Sequence, residues 1–227
     1  MPNATSSATT SESHSIGRII LVPALLTAGI TVLRLVGELQ HWSESFFNRA
    51  MGGSLIGITW LPPLVGIYFA LKLAQSGNAP KSFMRAIGYA LLGTIVLVIC
   101  AFAPSRLGVD HGFCDRLIYG WSFFVLSALI ALRGWPELFR TLLAYGIAAR
   151  VPVAIIMFFA FRGHWGTHYD AVPPDVPALG LLAKYLWLGF FPQLTLWVAF
   201  TILAGMLFGT IAAGIARLVQ IERGAPL

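Results

Sequence analysis

Six long apolar blocks separated by short polar stretches run through the chain. They cover residues 17–39, 54–75, 83–103, 117–132, 137–161 and 185–218. A helix rises about 1.5 Å per residue, so about 20 residues cross the roughly 30 Å hydrocarbon core of a bilayer. No alternation of apolar and polar positions indicates a membrane barrel. The pattern therefore predicts an all-α, polytopic transmembrane helical bundle with about six spanning helices.

Prolines fall inside two of these blocks. Pro62 and Pro63 lie in the second block, where we expect a kink, because proline removes a backbone hydrogen bond. The sixth block is the longest, which predicts either a tilted helix or an interfacial turn that breaks at Pro192. The fourth is the shortest, and residues 113–116 extend it if they are helical. Broken helices are a common way for transporters to bind solutes.

The polar ends of the chain set the expected domain boundaries. Residues 1–15 are rich in Ser and Thr and hold too little apolar surface to fold, so we interpret them as a disordered cytoplasmic tail. The apolar block that follows is longer than the core of a signal peptide. We expect a single six-helix transmembrane domain over 16–221 and a short cytoplasmic tail over 222–227.

The composition supports a membrane protein and argues against a nucleic-acid partner. Hydrophobic residues make up 57% of the chain and charged residues 11%, whereas a soluble domain carries about 25% charged residues. The net charge is +6, but Lys and Arg are spread singly and form no basic run. The expected partner is the lipid bilayer, with a membrane-protein partner or a second copy left open.

The distribution of Lys and Arg predicts the orientation in the membrane. Eight of them fall on the side of the N-terminus and five on the other side. Because cytoplasmic loops carry the excess of positive charge, we expect both termini in the cytoplasm. The expected location is a cell membrane, with a bacterial inner membrane favoured.

Arg150 is the most informative single residue, because it lies near the middle of the fifth predicted helix. An arginine at the bilayer centre costs about 2.5 kcal/mol or more, so it normally faces the bundle interior and marks a functional site. Pro152 lies two residues later, where a loosened backbone could offer carbonyl groups to the guanidinium. A structural ion pair or a side chain that reaches towards the interface is the alternative.

Three further polar residues within the helices are binding candidates. Arg34 and Glu38 are four residues apart and share a face near the outer end of the first helix, which favours a structural pair. If Glu38 instead points inward, it is the acid placed to meet Arg150 from within a helix. Gln193 follows Pro192 near the start of the sixth block.

The outer loops contain a set of metal-binding or acid–base candidates: His111, His164, His168 and Asp110. Imidazoles and carboxylates that converge could bind zinc or another divalent ion. Their spacing is not diagnostic, and solvated loop residues are the favoured reading. The sequence identifies no cofactor.

Cys100 and Cys114 bracket the predicted loop between the third and fourth helices. On an extracytoplasmic side, such a pair could close the loop as a disulfide. Two separate thiols that act as small hydrophobic residues are the alternative.

Three classes of function stay open. A small transporter or channel-like protein is favoured, because an intramembrane charge is the costliest feature of the chain; this hypothesis requires a cavity that reaches Arg150. A membrane enzyme with an outward His/Asp site is the second, and whether the chain is an enzyme is left open. A non-catalytic subunit of a membrane complex is the third, supported by small residues such as Gly205 and Gly209, spaced for close helix contact.

Overall fold

The structure, a computed structural model, describes the backbone of residues 4–49, 56–107, 112–174 and 176–222. Side chains are described for the same residues except 4–15, 101–107 and 222. The helices in chain order are α1 (Ala4–Leu39), α2 (Leu61–Gln75), α3 (Phe83–Leu107), α4 (Phe113–Leu132), α5 (Pro136–Gly163), α6 (Leu181–Lys184) and α7 (Val198–Glu222). The predicted all-α bundle is confirmed, and the described part of the chain contains no strand.

Five of the helical segments are long and apolar enough to cross a membrane, and α2 is a shorter apolar helix. Large apolar side chains cover much of the surface, including Val22, Leu25, Ile99 and Ile155. Contact with lipid tails accounts for this surface, because a soluble protein of this size rarely exposes so much contiguous apolar area. The chain is therefore a multi-pass membrane protein.

The first helix begins at Ala4, earlier than the apolar block. Its segment that could span a membrane runs from Ile16 to Leu39. The residues before Ile16 are helical in backbone but polar in sequence.

The two prolines near the start of α2 do not kink a helix, so that prediction was wrong. The helix begins at Leu61, and Pro62 and Pro63 occupy its first turn. In the first turn of a helix the backbone N–H has no partner within the helix, so proline loses nothing there. The second helix consequently has 15 residues, fewer than the sequence suggested.

The predicted break at Pro192 was also wrong, because the last helix continues from Leu181 to Ile221 without interruption. Two π-helical segments, Tyr185–Phe190 and Gln193–Trp197, lie on either side of Phe191 and Pro192 and join α6 to α7. The wider turns of a π-helix accommodate a residue that breaks the normal ladder of hydrogen bonds. We call the whole element, residues 181–222, the last helix.

The last helix occupies the centre of the bundle. Its α7 part packs against α2, α3, α4 and α5, while α1 packs mainly on α5. Glycines bring α7 and α2 into backbone contact: a Cβ on Gly66 would lie 2.3 Å from the Cα of Gly205, and one on Gly209 would lie 2.4 Å from the carbonyl oxygen of Gly66. The small residues of the last helix therefore serve contacts within the chain.

Both ends of the described chain lie at the same end of the bundle. One surface pocket there joins Ile16 of α1 to Glu137 at the start of α5, and another joins the α2–α3 turn to Arg217 near the end of α7. A third is lined by Lys81, Arg85 and Arg133. This is the end to which the sequence assigned the excess of positive charge, and its cytoplasmic location stays a prediction.

Candidate functional site

A cavity of about 190 Å³ lies between α1, α5 and the last helix. On α5, Arg150, Val153 and Met157 are three to seven residues apart and share a face that lines this cavity. On the last helix, Gln193 and Trp197 are four residues apart and line the opposite wall. Further lining residues are Ile30, Thr31, Arg34, Gly57, Ile58, Thr59, His168, Tyr169 and Leu188.

Arg150 is buried, with only 5% of its surface exposed, and it lines the cavity and does not face lipid. Its Nη1 donates a long hydrogen bond of 3.4 Å to Oε1 of Gln193. Its guanidinium carbon lies 4.7 Å from the ring centre of Trp197. Its Nε is buried without a hydrogen-bond partner. Among the described residues, no carboxylate forms an ion pair with Arg150.

These contacts offset the cost of burying the cation without supplying an opposite charge, and they leave Nε unpaired. A cation–π contact contributes about 2 kcal/mol when desolvated, and one hydrogen bond from a charged group about 1.5–3 kcal/mol. The desolvation penalty of an ion in a protein is several kcal/mol and is normally offset by a counter-ion. Arg150 therefore has capacity left for an anionic partner.

Gln193 holds its carbonyl towards Arg150. Its Nε2 donates towards Sδ of Met157 at 3.5 Å, which turns Oε1 to the guanidinium. Gln193 begins the second π-helical segment and Trp197 ends it, and such wide turns occur frequently at functional sites. The guanidinium is thus positioned by a side-chain amide, and not by a carbonyl freed at Pro152.

Glu38 forms the other half of the site. It is 1% exposed, and its Oε1 accepts a hydrogen bond from Nε of Arg34 at 2.8 Å. Its Oε2 accepts from the backbone N–H of His168 at 2.8 Å, and Nδ1 of His168 lies 2.5 Å from Oε1 without the alignment of a hydrogen bond. Glu38 therefore pairs with Arg34 and His168. It does not form the contact with Arg150 that the sequence left open as an alternative.

The same ion pair ties the segment that follows α1 to that helix. Nη2 of Arg34 donates to the carbonyl of Asn48 at 3.2 Å, and Nη2 of Arg49 donates to the carbonyl of Glu38 at 3.1 Å. Arg49 also contacts Nδ1 of His41. The Arg34–Glu38 pair thus joins two loops to the end of one helix.

The segment after α5 is shaped by a local turn. The carboxylate of Asp170 accepts hydrogen bonds from the backbone N–H groups of Gly166 and Thr167 at 2.9 and 2.7 Å. The hydroxyl of Tyr169 donates to the carbonyl of Thr31 on α1 at 3.1 Å. These bonds place His168 and Tyr169 against the cavity.

Burial changes the proton affinity of both loop residues. It lowers the pKa of His168 below its ordinary value, and the nearby Arg34 cation acts in the same direction, while Glu38 partly opposes the change. Burial also raises the pKa of Tyr169. At neutral pH the neutral forms of both side chains are thus favoured.

The site includes residues that the sequence did not indicate. Trp197 could have been found, because it lies one helical turn beyond Gln193. Tyr169 and Thr31 could not, because their contact joins positions separated by more than 130 residues and depends on the turn made by Asp170.

The metal-binding candidates are only partly described. Asp110 and His111 lie outside the described residues. His164 ends α5 in an exposed left-handed conformation, with a φ of 50°. Within the described part of the chain, no three His, Cys, Asp or Glu side chains are grouped to hold a metal ion. His168 contacts Glu38 through its backbone N–H and its ring.

Cys100 and Cys114 are free thiols in the structure, so the candidate disulfide is not formed there. The reason lies in the helix bounds. The third helix continues seven residues beyond Cys100 to Leu107, about 10 Å along its axis, whereas Cys114 is the second residue of α4. A disulfide needs Cα atoms within about 7 Å of each other.

Comparison of the chain with protein-family models, with curated proteins and with solved structures gives no match.

Proposed function

We propose that this membrane protein is a small transporter that binds an anionic solute at Arg150. The observation that carries the proposal is a buried arginine without a carboxylate partner among the described residues, on the wall of a cavity. An anion in the cavity would supply the counter-charge that the cation lacks. Binding of the anion would then be favourable, because the empty site leaves a buried cation without a counter-ion.

The position of the cavity supports a role in transport. It lies between the C-terminal halves of α1 and α5, on the side of the loops that follow those helices, and its lining residue Thr59 is exposed. We therefore place its entrance beside the start of α2. With the positive end of the bundle in the cytoplasm, the entrance faces the outer side of a cell membrane.

The loop that carries His168 and Tyr169 covers the cavity. Its hydrogen bonds run to Glu38 and to the carbonyl of Thr31, and Tyr169, which is 3% exposed, belongs to an apolar cluster with Val153 and Met157 of α5. A transporter must expose its site to each side in turn, and movement of a loop that covers the site is one way to do so. We assign this loop as the outer gate.

The test is uptake of anions into proteoliposomes that contain the purified protein. The panel is chloride, methanesulfonate and benzenesulfonate, which stay ionised and cross lipid slowly. We expect uptake of at least one anion by the wild type and a loss of about tenfold or more in Arg150→Met, because the variant lacks the cation that offsets the anion's charge.

Arg162→Met is the matched control, since it is the same substitution on the same helix at an exposed position. It should transport like the wild type. Equal uptake by Arg150→Met and the wild type, or uptake no faster than in protein-free vesicles, would contradict the proposal.

A further inference from the structure

The charges around the cavity limit the charge of its ligand. The charged side chains that line it are Arg34 and Arg150, together with the imidazole of His168. Arg34 is already neutralised by Glu38, and burial favours the neutral form of His168. Among the lining residues that the structure describes, a single positive charge, that of Arg150, is left to balance.

The available hydrogen-bond donors fit one carboxylate or sulfonate group. Nη1 of Arg150 is used by Gln193, and Nε has no partner. Nε and Nη2 lie on one edge of the guanidinium, and their two N–H groups match the paired oxygens of a carboxylate or sulfonate. Chloride offers no such pair of acceptors.

The remaining wall is mainly apolar. Its apolar lining residues are Ile30, Ile58, Val153, Met157 and Leu188. An apolar cavity of about 150 Å³ holds one benzene ring, so about 190 Å³ has room for a ring or a branched chain with one charged group. A small hydrated anion would leave these walls in contact with trapped water.

We propose that the ligand is a monoanion with an apolar body, in which one carboxylate or sulfonate group meets Arg150 and an aromatic or branched aliphatic part fills the remaining space. This inference rests on the proposed function, since it names the class of anion that the Arg150 site takes. Inorganic anions and dianions are poor ligands of the same site.

The test is a series of ligands in which charge and apolar body change separately. Binding is measured by calorimetry on the full chain in nanodiscs of zwitterionic phosphatidylcholine, so that no charged detergent competes. The probes are benzenesulfonate, benzoate, methanesulfonate, benzenesulfonamide, benzene-1,3-disulfonate, chloride and sulfate.

Benzenesulfonate and benzoate should bind most tightly. Methanesulfonate lacks the ring and should bind about tenfold or more weakly, because it buries less apolar surface. The sulfonamide leaves Arg150 without a counter-charge, and the disulfonate buries a second charge with no partner, so each should also lose about tenfold or more. Arg150→Met should weaken benzenesulfonate binding, while Arg162→Met should not.

The outcomes separate the two proposals. Chloride or sulfate binding as tightly as benzenesulfonate, with loss in Arg150→Met, overturns the amphiphilic ligand and leaves the anion site in place. Tighter binding of the disulfonate than of benzenesulfonate would contradict the assignment of a monoanion and leave the anion site in place. Benzenesulfonamide binding as well as benzenesulfonate, or no binding of any probe, overturns both.

Discussion

The Arg34–Glu38 pair gives the sharpest test of how the site is built. Glu38→Leu would leave the guanidinium of Arg34 buried without its anion. Arg34→Met would leave the carboxylate of Glu38 buried without its cation. Both side chains are nearly covered, with Arg34 9% and Glu38 1% exposed. Removing one member of a buried ion pair costs about 3–5 kcal/mol, whereas replacing both by apolar residues is often neutral.

The double variant Arg34→Met/Glu38→Leu should therefore be more stable than either single variant. It still loses the bond from the backbone N–H of His168, which leaves a cost of about 1–3 kcal/mol. The two single costs together exceed the cost of the double variant, so we expect a coupling free energy of about 2 kcal/mol or more.

The assay is thermal unfolding followed by tryptophan fluorescence in a common lipid nanodisc. At about 2–4 °C per kcal/mol for a chain of this size, each single variant should lower Tm by about 6–20 °C. Glu44→Leu is the control, because Glu44 is exposed, and it should change Tm little. Additive single effects, or a double variant less stable than both singles, would refute the assignment of a coupled buried pair.

Two further predictions concern the loop and the helix contact. The folded protein binds a proton at His168 weakly, because burial lowers the pKa of that residue, whereas the unfolded chain takes one up near pH 6.5. The contribution of His168 to stability is thus fully present above about pH 6.5 and is lost below it. Tm of the wild type should therefore decrease from about pH 7 to 5. A His168→Gln variant whose Tm decreases equally over this pH range would contradict the prediction. Gly66→Ala should cost about 1–3 kcal/mol, because its Cβ would meet the backbone of Gly205 at 2.3 Å. Gly88→Ala, with no atom within 4 Å of the added Cβ, should leave Tm within a few degrees of the wild type, and equal effects of the two would argue against a close contact of α2 and α7.

The apolar blocks were sufficient to predict the number and type of helices, because the length needed to cross a bilayer is a local property of the sequence. They were not sufficient to place the prolines. Whether Pro62 kinks a helix or starts one depends on where the helix begins, and residues 56–60 of the apolar block lie ahead of α2 in turns and bends. At Pro192, the helix continues because its turns widen, a response that composition does not reveal.

The site was predictable residue by residue but not as an arrangement. Arg150 could be singled out because a charge at mid-membrane is costly wherever it points. Its partner could not be chosen, since Glu38 and a carbonyl near Pro152 were the candidates, whereas the structure pairs Glu38 with the distant His168 and Arg150 with Gln193. The part of the cavity wall formed by His168 and Tyr169 depends on the turn around Asp170, which no apolar pattern reveals.

The shortness of α2 has a consequence for the order in which the chain is assembled. Its 15 residues span about 22 Å, less than the hydrocarbon core, so this helix is poorly suited to enter the bilayer by its own hydrophobicity. Its main contact is with α7, which follows α3, α4 and α5 in the chain and is therefore made after them. The glycine face of α2 consequently lacks its α7 contact while those three helices are being made.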